Sequence, residues 1–361
     1  MDVVKLSVLS LNHANIYHDA FIQRGGAESV VEQWSKFLQI TPSALAVNHE
    51  IDWDTSGRPK ALLNLIKNQK QLESIYPLLP IIEKFFTDLH LPEEIRLVST
   101  TGIAHQLPGN WAKRVVYMHS PTRWIWDKVS FDIDRQLLKV VVANLLRNSF
   151  QKFDRSRILE NDILIANSTY TSKRIKMIFK RNAKIIFPPV RKILFQETRP
   201  KLLDGVDFFL AVGRNKGYKN LQHAISASQR LGFLLVIVGE GTEMLNGHNH
   251  IGLGKVTDAE LKWLYMNANA LIACSKEDFG LTPIEAAYFG CPTIAYKHLG
   301  YLDSVMNGVN GEFVEPDNIE SLTEAIKCFN RSHYNTLAMT EFASCFTIEK
   351  HLKSIESVLN D

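Results

Sequence analysis

The sequence predicts two doubly wound α/β domains in tandem. The 361 residues exceed what one hydrophobic core usually serves. Short apolar runs alternate with helix-length segments, the signature of βαβ units on a parallel sheet. The alternation stops at the tandem prolines of Phe187-Pro188-Pro189-Val190 and begins again at Phe208. A composition of 45% hydrophobic and 22% charged residues is that of a globular protein, which sets aside collagen and disorder.

In the first series, strands are expected at Val3–Ser10, Ala44–Asn48, Arg96–Ser99, Arg114–Met118 and Asp162–Asn167. A helix from Ala27 to about Gln39 follows the Arg24-Gly25-Gly26 loop, and another starts near Tyr170. The prolines forbid helix and favour an extended connector. The weakly periodic stretch 191–207 then reads as an interdomain linker. The second series predicts strands at Phe208–Val212, Leu234–Val238, Ala270–Ala273 and Thr293–Ala295. Its helices are expected at Asn220–Leu231, Asp258–Asn267, Pro283–Phe289 and Ile319–Asn330. The expected division is therefore a first domain at 1–190, a second at 208–345, and a C-terminal helix at 346–361 packing back toward the first. Two such domains are expected to take a ligand in the cleft between them, beyond the carboxyl ends of their strands.

The longest apolar runs fall far short of the ~20 residues of a membrane-spanning helix, and residues 1–20 lack a leader's cleavage pattern. Cys274, Cys291, Cys328 and Cys345 are sparse and lack C-x-x-C spacing, so they read as reduced thiols of a cytoplasmic protein. The net charge of +3 argues against a nucleic-acid partner. It also hides an asymmetry. Residues 139–184 hold eleven cations against three acids, a net +8 that leaves −5 for the remainder. Such a block suits an anionic membrane surface, with Ile175, Met177, Ile178 and Phe179 set among the cations, and it equally suits a solvated helical face.

Three segments carry chemistry. Val212-Gly213-Arg214-Asn215-Lys216-Gly217-Tyr218-Lys219-Asn220 joins a strand to a helix. Its glycines admit a ligand close to the backbone, and Arg214 and Lys219 add cations beside a helix N-terminus, a combination that suits a pyrophosphate. The segment Ser275–Glu285 carries Glu277 at a strand end and Glu285 eight positions on, both able to accept from sugar hydroxyls. Thr282-Pro283-Ile284-Glu285 also reads as a capping box, so Glu285 has a structural role open to it as well. His119, in Val116–Asp127, ends a first-domain strand where it can bond a phosphate or a sugar hydroxyl. Gly25-Gly26-Ala27-Glu28 opens the first helix and permits close approach of substrate. Gly239-Glu240-Gly241 lacks the third glycine of a dinucleotide fingerprint, and there is no G-x-x-x-x-G-K-[ST] loop. Asp52-Trp53-Asp54 and Asp132-Ile133-Asp134 occur about as often as chance allows and are not read as a metal site.

Together these segments resemble the retaining nucleotide-sugar glycosyltransferases of family 4, which have the GT-B fold of two Rossmann-like doubly wound domains. The resemblance rests on Gly25-Gly26-Ala27-Glu28, Ile165-Ala166-Asn167-Ser168, Phe187–Val190, the Arg214/Lys219 pair, Glu277 through Glu285, Gly290–Ala295 and Asn310-Gly311. Residues 119–127 and Glu277–Gly280 look most like bacterial mannosyltransferases of O-antigen and exopolysaccharide assembly.

The resemblance implies that Arg214 and Lys219 neutralise the donor diphosphate. It implies that Glu277 holds donor-sugar hydroxyls beside the backbone of Phe279, Gly280 and Leu281, and that Glu285 binds the ribose. His119 would contact sugar or phosphate. Gly213, Ile251 and Val256 complete the donor set, and Gly25-Gly26 border diphosphate and acceptor. No metal or other cofactor is implied. The expected donor is GDP-mannose, and the expected acceptor a glycan or polyprenyl-diphosphate-linked oligosaccharide at the inner face of the plasma membrane. A UDP- or dTDP-sugar donor, a relative that hydrolyses or epimerises nucleotide sugars, and a non-catalytic sensor or scaffold subunit are the competing readings. Residues 50–95 match nothing specific.

Overall fold

The computed structural model describes residues 11, 13–63, 66, 68, 71–72, 92–127, 137–191, 196–201, 203 and 205–360. They fall into two compact units: residues 1–189 with 348–361, and residues 190–347.

In the first unit, β1 (Ala14–Phe21), β2 (Ser43–Val47), β3 (Lys60–Ala61), β4 (Pro92–Thr100), β5 (Asn110–Met118), β6 (Ile163–Ala166) and β7 (Lys184–Ile185) form one sheet in the order β3-β2-β1-β4-β5-β6-β7. Every pairing is parallel. Parallel strands buried on both faces need continuous apolar runs, and each face of this sheet has its own core. On one, Val30, Val31, Trp34 and Leu38 of α1 (Gly26–Leu38) meet Leu352, Ile355 and Leu359 of the C-terminal α9 (Ile348–Asn360). On the other, Ile175, Ile178 and Phe179 of α3 (Thr169–Phe179) pack on Val116, Met118 and Leu164. A further helix, α2 (Leu137–Ser156), precedes β6.

The expected strand Val3–Ser10 lies outside the described residues, and the strand that enters the glycine loop is β1. The described residues of 191–207 fall within the second unit. Arg191 pairs with Asp258 at 2.6 Å, Thr198 N–H donates to the Ala259 carbonyl, and Leu203 is buried. The two aspartates of Asp132-Ile133-Asp134 lie outside the described residues.

The second unit orders β8 (Phe208–Val212), β9 (Leu234–Val238), β10 (His250–Gly254), β11 (Leu271–Ala273), β12 (Thr293–Tyr296) and β13 (Gly311–Val314) as β10-β9-β8-β11-β12-β13, again all parallel. The helices are α4 (Leu221–Leu231), α5 (Asp258–Asn267), α6 (Leu281–Tyr288), α7 (Ile319–Cys328) and α8 (Thr336–Ala343). α4 and α7 cover one face of the sheet and α5 and α6 the other. In both sheets the strand order reverses direction once, between β1 and β4 and between β8 and β11. Loops leaving the carboxyl ends of such strands diverge and leave a crevice, the place where doubly wound sheets bind ligands.

The basic block is partly inward-facing. Arg147 and Arg155 donate to the carbonyls of Ile125 and Ile178, Arg181 to those of Leu159 and Asp162, and buried Arg174 bonds Ser120 and the Asp127 carboxylate. Ile175, Ile178 and Phe179 are core residues, a correction to their placement on a lipid-facing surface; each contributes about 1.5–3 kcal/mol where it is. Met177 is exposed, along with Lys173, Lys176 and Lys180. Among the described residues, no helix is long and apolar enough to cross a membrane.

Candidate functional site

In the second unit the chemistry gathers at the mouth between β8 and β11. After β8 the chain turns at Gly213, passes Arg214, and closes a short 3₁₀ turn over Gly217–Lys219 before Asn220 leads into α4. After β11 it runs through Ser275 and Glu277 into α6. The two loops are laced together: Lys276 N–H donates to the Tyr218 carbonyl, Ser275 Oγ to that of Lys219, and the Asn220 amide to that of Cys274. This lacing brings Lys219 Nζ to 2.5 Å from Glu277 Oε1, with the two side chains 15% and 22% exposed. Arg214 leaves the same loop, half-buried, two residues past the end of β8.

Glycine is required at two points of this mouth. Gly239, with φ at 141°, ends β9 so close to the first loop that a Cβ would stand 2.3 Å from the Gly213 carbonyl oxygen. Gly239 therefore lets the β8 and β9 loops meet backbone to backbone. Gly280 has φ at 89° and caps α6, and a Cβ there would meet the Tyr301 ring at 2.6 Å. Phe279 is buried beside it, and Leu281 is the first helical residue, so the N–H groups of Gly280 and Leu281 lie at a helix N-terminus suited to anions.

The capping-box reading of Thr282–Glu285 is corrected. The cap is Gly280, and Thr282 lies inside the helix. Glu285 is instead held by the Tyr265 hydroxyl, which donates to it at 3.2 Å. Burial pushes the Glu285 carboxyl above its ordinary range against the opposing pull of Arg191 and the Tyr265 bond. A true capping box forms elsewhere, between Thr257 and Glu260 at the start of α5. Val256 sits just ahead of it, past the end of β10, whereas Ile251 lies in the body of that edge strand, three residues or about 10 Å from its carboxyl end.

The first unit has its own polar mouth. Gly25 is the N-cap of α1 with no side-chain cap, and the Glu28 carboxylate lies over it, 2.7 Å from where a Cβ would stand. His119 follows β5, is buried, and places Nε2 2.9 Å from Ser99 Oγ. Burial, with His18 and His351 nearby, brings its pKa down to about 3 despite the Asp19 carboxylate, so the ring is neutral at working pH.

Sequence reasoning passed over His18, Asp19 and Ser99. The available signal was polar side chains at the carboxyl ends of otherwise apolar buried strands, where each must find a partner. Asp19 finds several, accepting from Thr100 Oγ1, from the backbone and hydroxyl of Thr101, and from the N–H groups of Ile103 and Ala104. Burial alone would raise its pKa, but His18 and these donors hold it below the usual carboxylate value.

Residues 195–337 match the family model of glycosyl transferases group 1. The alpha-1,3/1,6-mannosyltransferase ALG2 of Dictyostelium discoideum is 24% identical over 57% of this chain and 59% of its own length. The chain thus spans little more than half of that relative. Sucrose-phosphate synthase from Thermosynechococcus elongatus superposes with a TM-score of 0.76 at 16% identity, covering 96% of this chain and 98% of that one. Anabaena Alr3699/HepE in complex with UDP-glucose gives 0.68, also at 16% identity, over 96% and 99%. The two parallel sheets are therefore the two Rossmann-like domains of a GT-B fold, and residues 195–337 carry the group 1 glycosyl transferase family match.

Proposed function

We propose that the chain is a retaining, metal-independent glycosyltransferase that moves a hexose from a nucleotide sugar to a glycan or polyprenyl-diphosphate-linked acceptor. The observation that carries this reading is the Lys219–Glu277 pair at the β8/β11 switch point, with Arg214 on the same loop. Glycosyl transfer passes through an oxocarbenium-like state, and its largest demand is stabilisation of the departing diphosphate. Lys219, Arg214 and the adjoining helix N-terminus meet that demand with charge and N–H donors.

When a diphosphate arrives, it replaces the Glu277 carboxylate as the partner of Lys219. Glu277 is then released to accept from hydroxyls of the donor sugar. Glu285, half-buried and bonded by the Tyr265 hydroxyl, accepts from the ribose in this reading. In the transfer step the bond from the anomeric carbon to the phosphate oxygen breaks as the bond to the acceptor oxygen forms on the same face. The leaving phosphate oxygen takes the acceptor's proton. His119, neutral, offers a hydrogen bond to phosphate or sugar.

GDP-mannose is the proposed donor, supported by the mannosyltransferase relative. A UDP-sugar is the second reading, favoured by the fold's likeness to a UDP-glucose complex. The exposed cations Lys173, Lys176 and Lys180, with Met177 among them, support a peripheral site on anionic membrane at the cytoplasmic face.

The test is sugar transfer from GDP-mannose and UDP-glucose across a panel of glycan and lipid-diphosphate acceptors, with the product's anomeric configuration read by NMR. Transfer with retention supports the proposal, and an inverted product contradicts it. Hydrolysis without transfer would point to a nucleotide-sugar hydrolase, and binding without turnover to a scaffold subunit.

A further inference from the structure

Behind His119 lies a buried chain of hydrogen bonds whose direction can be worked out atom by atom. Ser99, at the end of β4, is fully buried between two histidines. His18 Nδ1 stands 3.2 Å from the Ser99 carbonyl oxygen and 3.1 Å from Ser99 Oγ, and His119 Nε2 stands 2.9 Å from the same Oγ. A carbonyl can only accept, so His18 Nδ1 carries a proton and donates toward Ser99. The serine hydroxyl has one proton of its own, and the nitrogen left to receive it is His119 Nε2. Were Nε2 protonated instead, that hydroxyl hydrogen would be buried without an acceptor, at about 1–3 kcal/mol.

From this bonding we propose that Ser99 is a positioning residue that locks His119 in its Nδ1–H tautomer, so that the ring presents an N–H donor to a phosphate or sugar oxygen of the nucleotide-sugar substrate. This rests on the proposed function, in which His119 meets that substrate. A neutral imidazole offers one donor and one lone pair, so fixing Nε2 as the acceptor decides what Nδ1 shows. In the other tautomer a lone pair would face the substrate's oxygen and repel it. His18 completes the device by engaging the backbone and hydroxyl of Ser99 from behind, and the bonds that Asp19 makes hold the following loop at Thr101, Ile103 and Ala104.

The experiment uses the full chain labelled with ¹⁵N-histidine, together with four variants. Ser99→Ala removes the lock and Ser99→Thr keeps the hydroxyl. His119→Asn puts an amide N–H near the Nδ1 position without needing Ser99, and His119→Gln puts it near Nε2. The wild-type spectrum is expected to show His119 with a bare Nε2 and a protonated Nδ1, and Ser99→Ala a mixture of tautomers. Turnover is expected to fall about 10- to 100-fold in Ser99→Ala, by analogy with the loss of a partner that orients a metal-bound histidine, and to return toward wild type in Ser99→Thr. His119→Asn should exceed His119→Gln, and adding Ser99→Ala to His119→Asn should change nothing further.

A protonated Nε2 in the wild-type protein overturns the lock, as does a Ser99→Ala loss that adds in full to His119→Asn. Urea midpoints of each variant separate a general loss of stability from the specific effect. A bare Nε2 in a protein that turns over no nucleotide sugar would refute the proposed function and leave the tautomer assignment standing.

Discussion

Replacing Lys219 with Met separates what its pair with Glu277 does for folding from what it does for chemistry. The thioether keeps most of the stem and removes the charge. Glu277, 22% exposed, then keeps a carboxylate in a partly desolvated place without its partner. Two unit charges near a protein surface attract by about 4 kcal/mol at 4 Å, but desolvation offsets most of this. The expected loss is about 1–3 kcal/mol, which for a unit of this size lowers Tm by about 2–12 °C. Turnover should fall further, by ~10²–10³, the effect of removing one preorganised donor from a developing negative charge. Adding Glu277→Gln removes the stranded carboxylate. The double variant should therefore regain most of its thermal stability by calorimetry while its turnover stays low. Recovery of turnover together with stability would mean that the pair is only a structural ion pair, and the chemical role given to Lys219 would fall.

Other outcomes follow from the same geometry. Gly280→Ala combines a φ of 89° with a contact of 2.6 Å to the Tyr301 ring, and should cost about 2–4 kcal/mol in urea denaturation. A wild-type midpoint would show that the α6 cap relaxes freely. The first unit should lose stability in acid. His119 and His351 have folded pKa values lowered to about 3 and about 4 by burial, so the unfolded chain binds their protons first. Their contribution is complete above about pH 6.5 and is lost as pH falls toward 4, at about 1.4 kcal/mol per pH step per group. His351→Gln should flatten the urea midpoint's dependence between pH 6.5 and 4, and an unchanged slope would count against this origin. Reversing Lys173, Lys176 and Lys180 to Glu should abolish sedimentation with anionic liposomes without changing Tm. Unchanged sedimentation would remove the membrane surface from the account.

Much of the second unit was legible because its strands are short unbroken apolar runs and its loops carry glycine, lysine and glutamate where strands end. Phe208–Val212 and Leu234–Val238 coincide with β8 and β9. β10 escapes the pattern because His250 and two glycines interrupt it, and β13 because Gly311 and Glu312 leave only two apolar residues in the strand. β1 was hidden by His18 and Asp19, polar residues in a buried strand that are tolerated because Ser99 and the Thr100–Ala104 loop satisfy them.

Periodicity gives α3 an amphipathic pattern but does not say which face meets the core, so Ile175 and Ile178 read as surface until the fold turns them inward. For Glu285, four residues of local pattern suggested a capping box, and the left-handed turn at Gly280 moved the helix start two residues earlier. The Lys219–Glu277 contact spans 58 positions and depends on two loops being laced together, which no local pattern records.

If Lys219 and Arg214 grip the diphosphate of a nucleotide sugar, the folded chain gains stability from its donor, and the shift in Tm on adding GDP-, UDP-, dTDP- and ADP-sugars measures that gain. At a hundredfold excess over Kd the bound donor should add about 2.7 kcal/mol to the folded state. One base should be preferred, GDP-mannose by the present reading, and the shift should vanish in the Arg214→Ala/Lys219→Ala double variant. An equal shift in the wild type and that variant, or none with any of the four donors, would contradict the account.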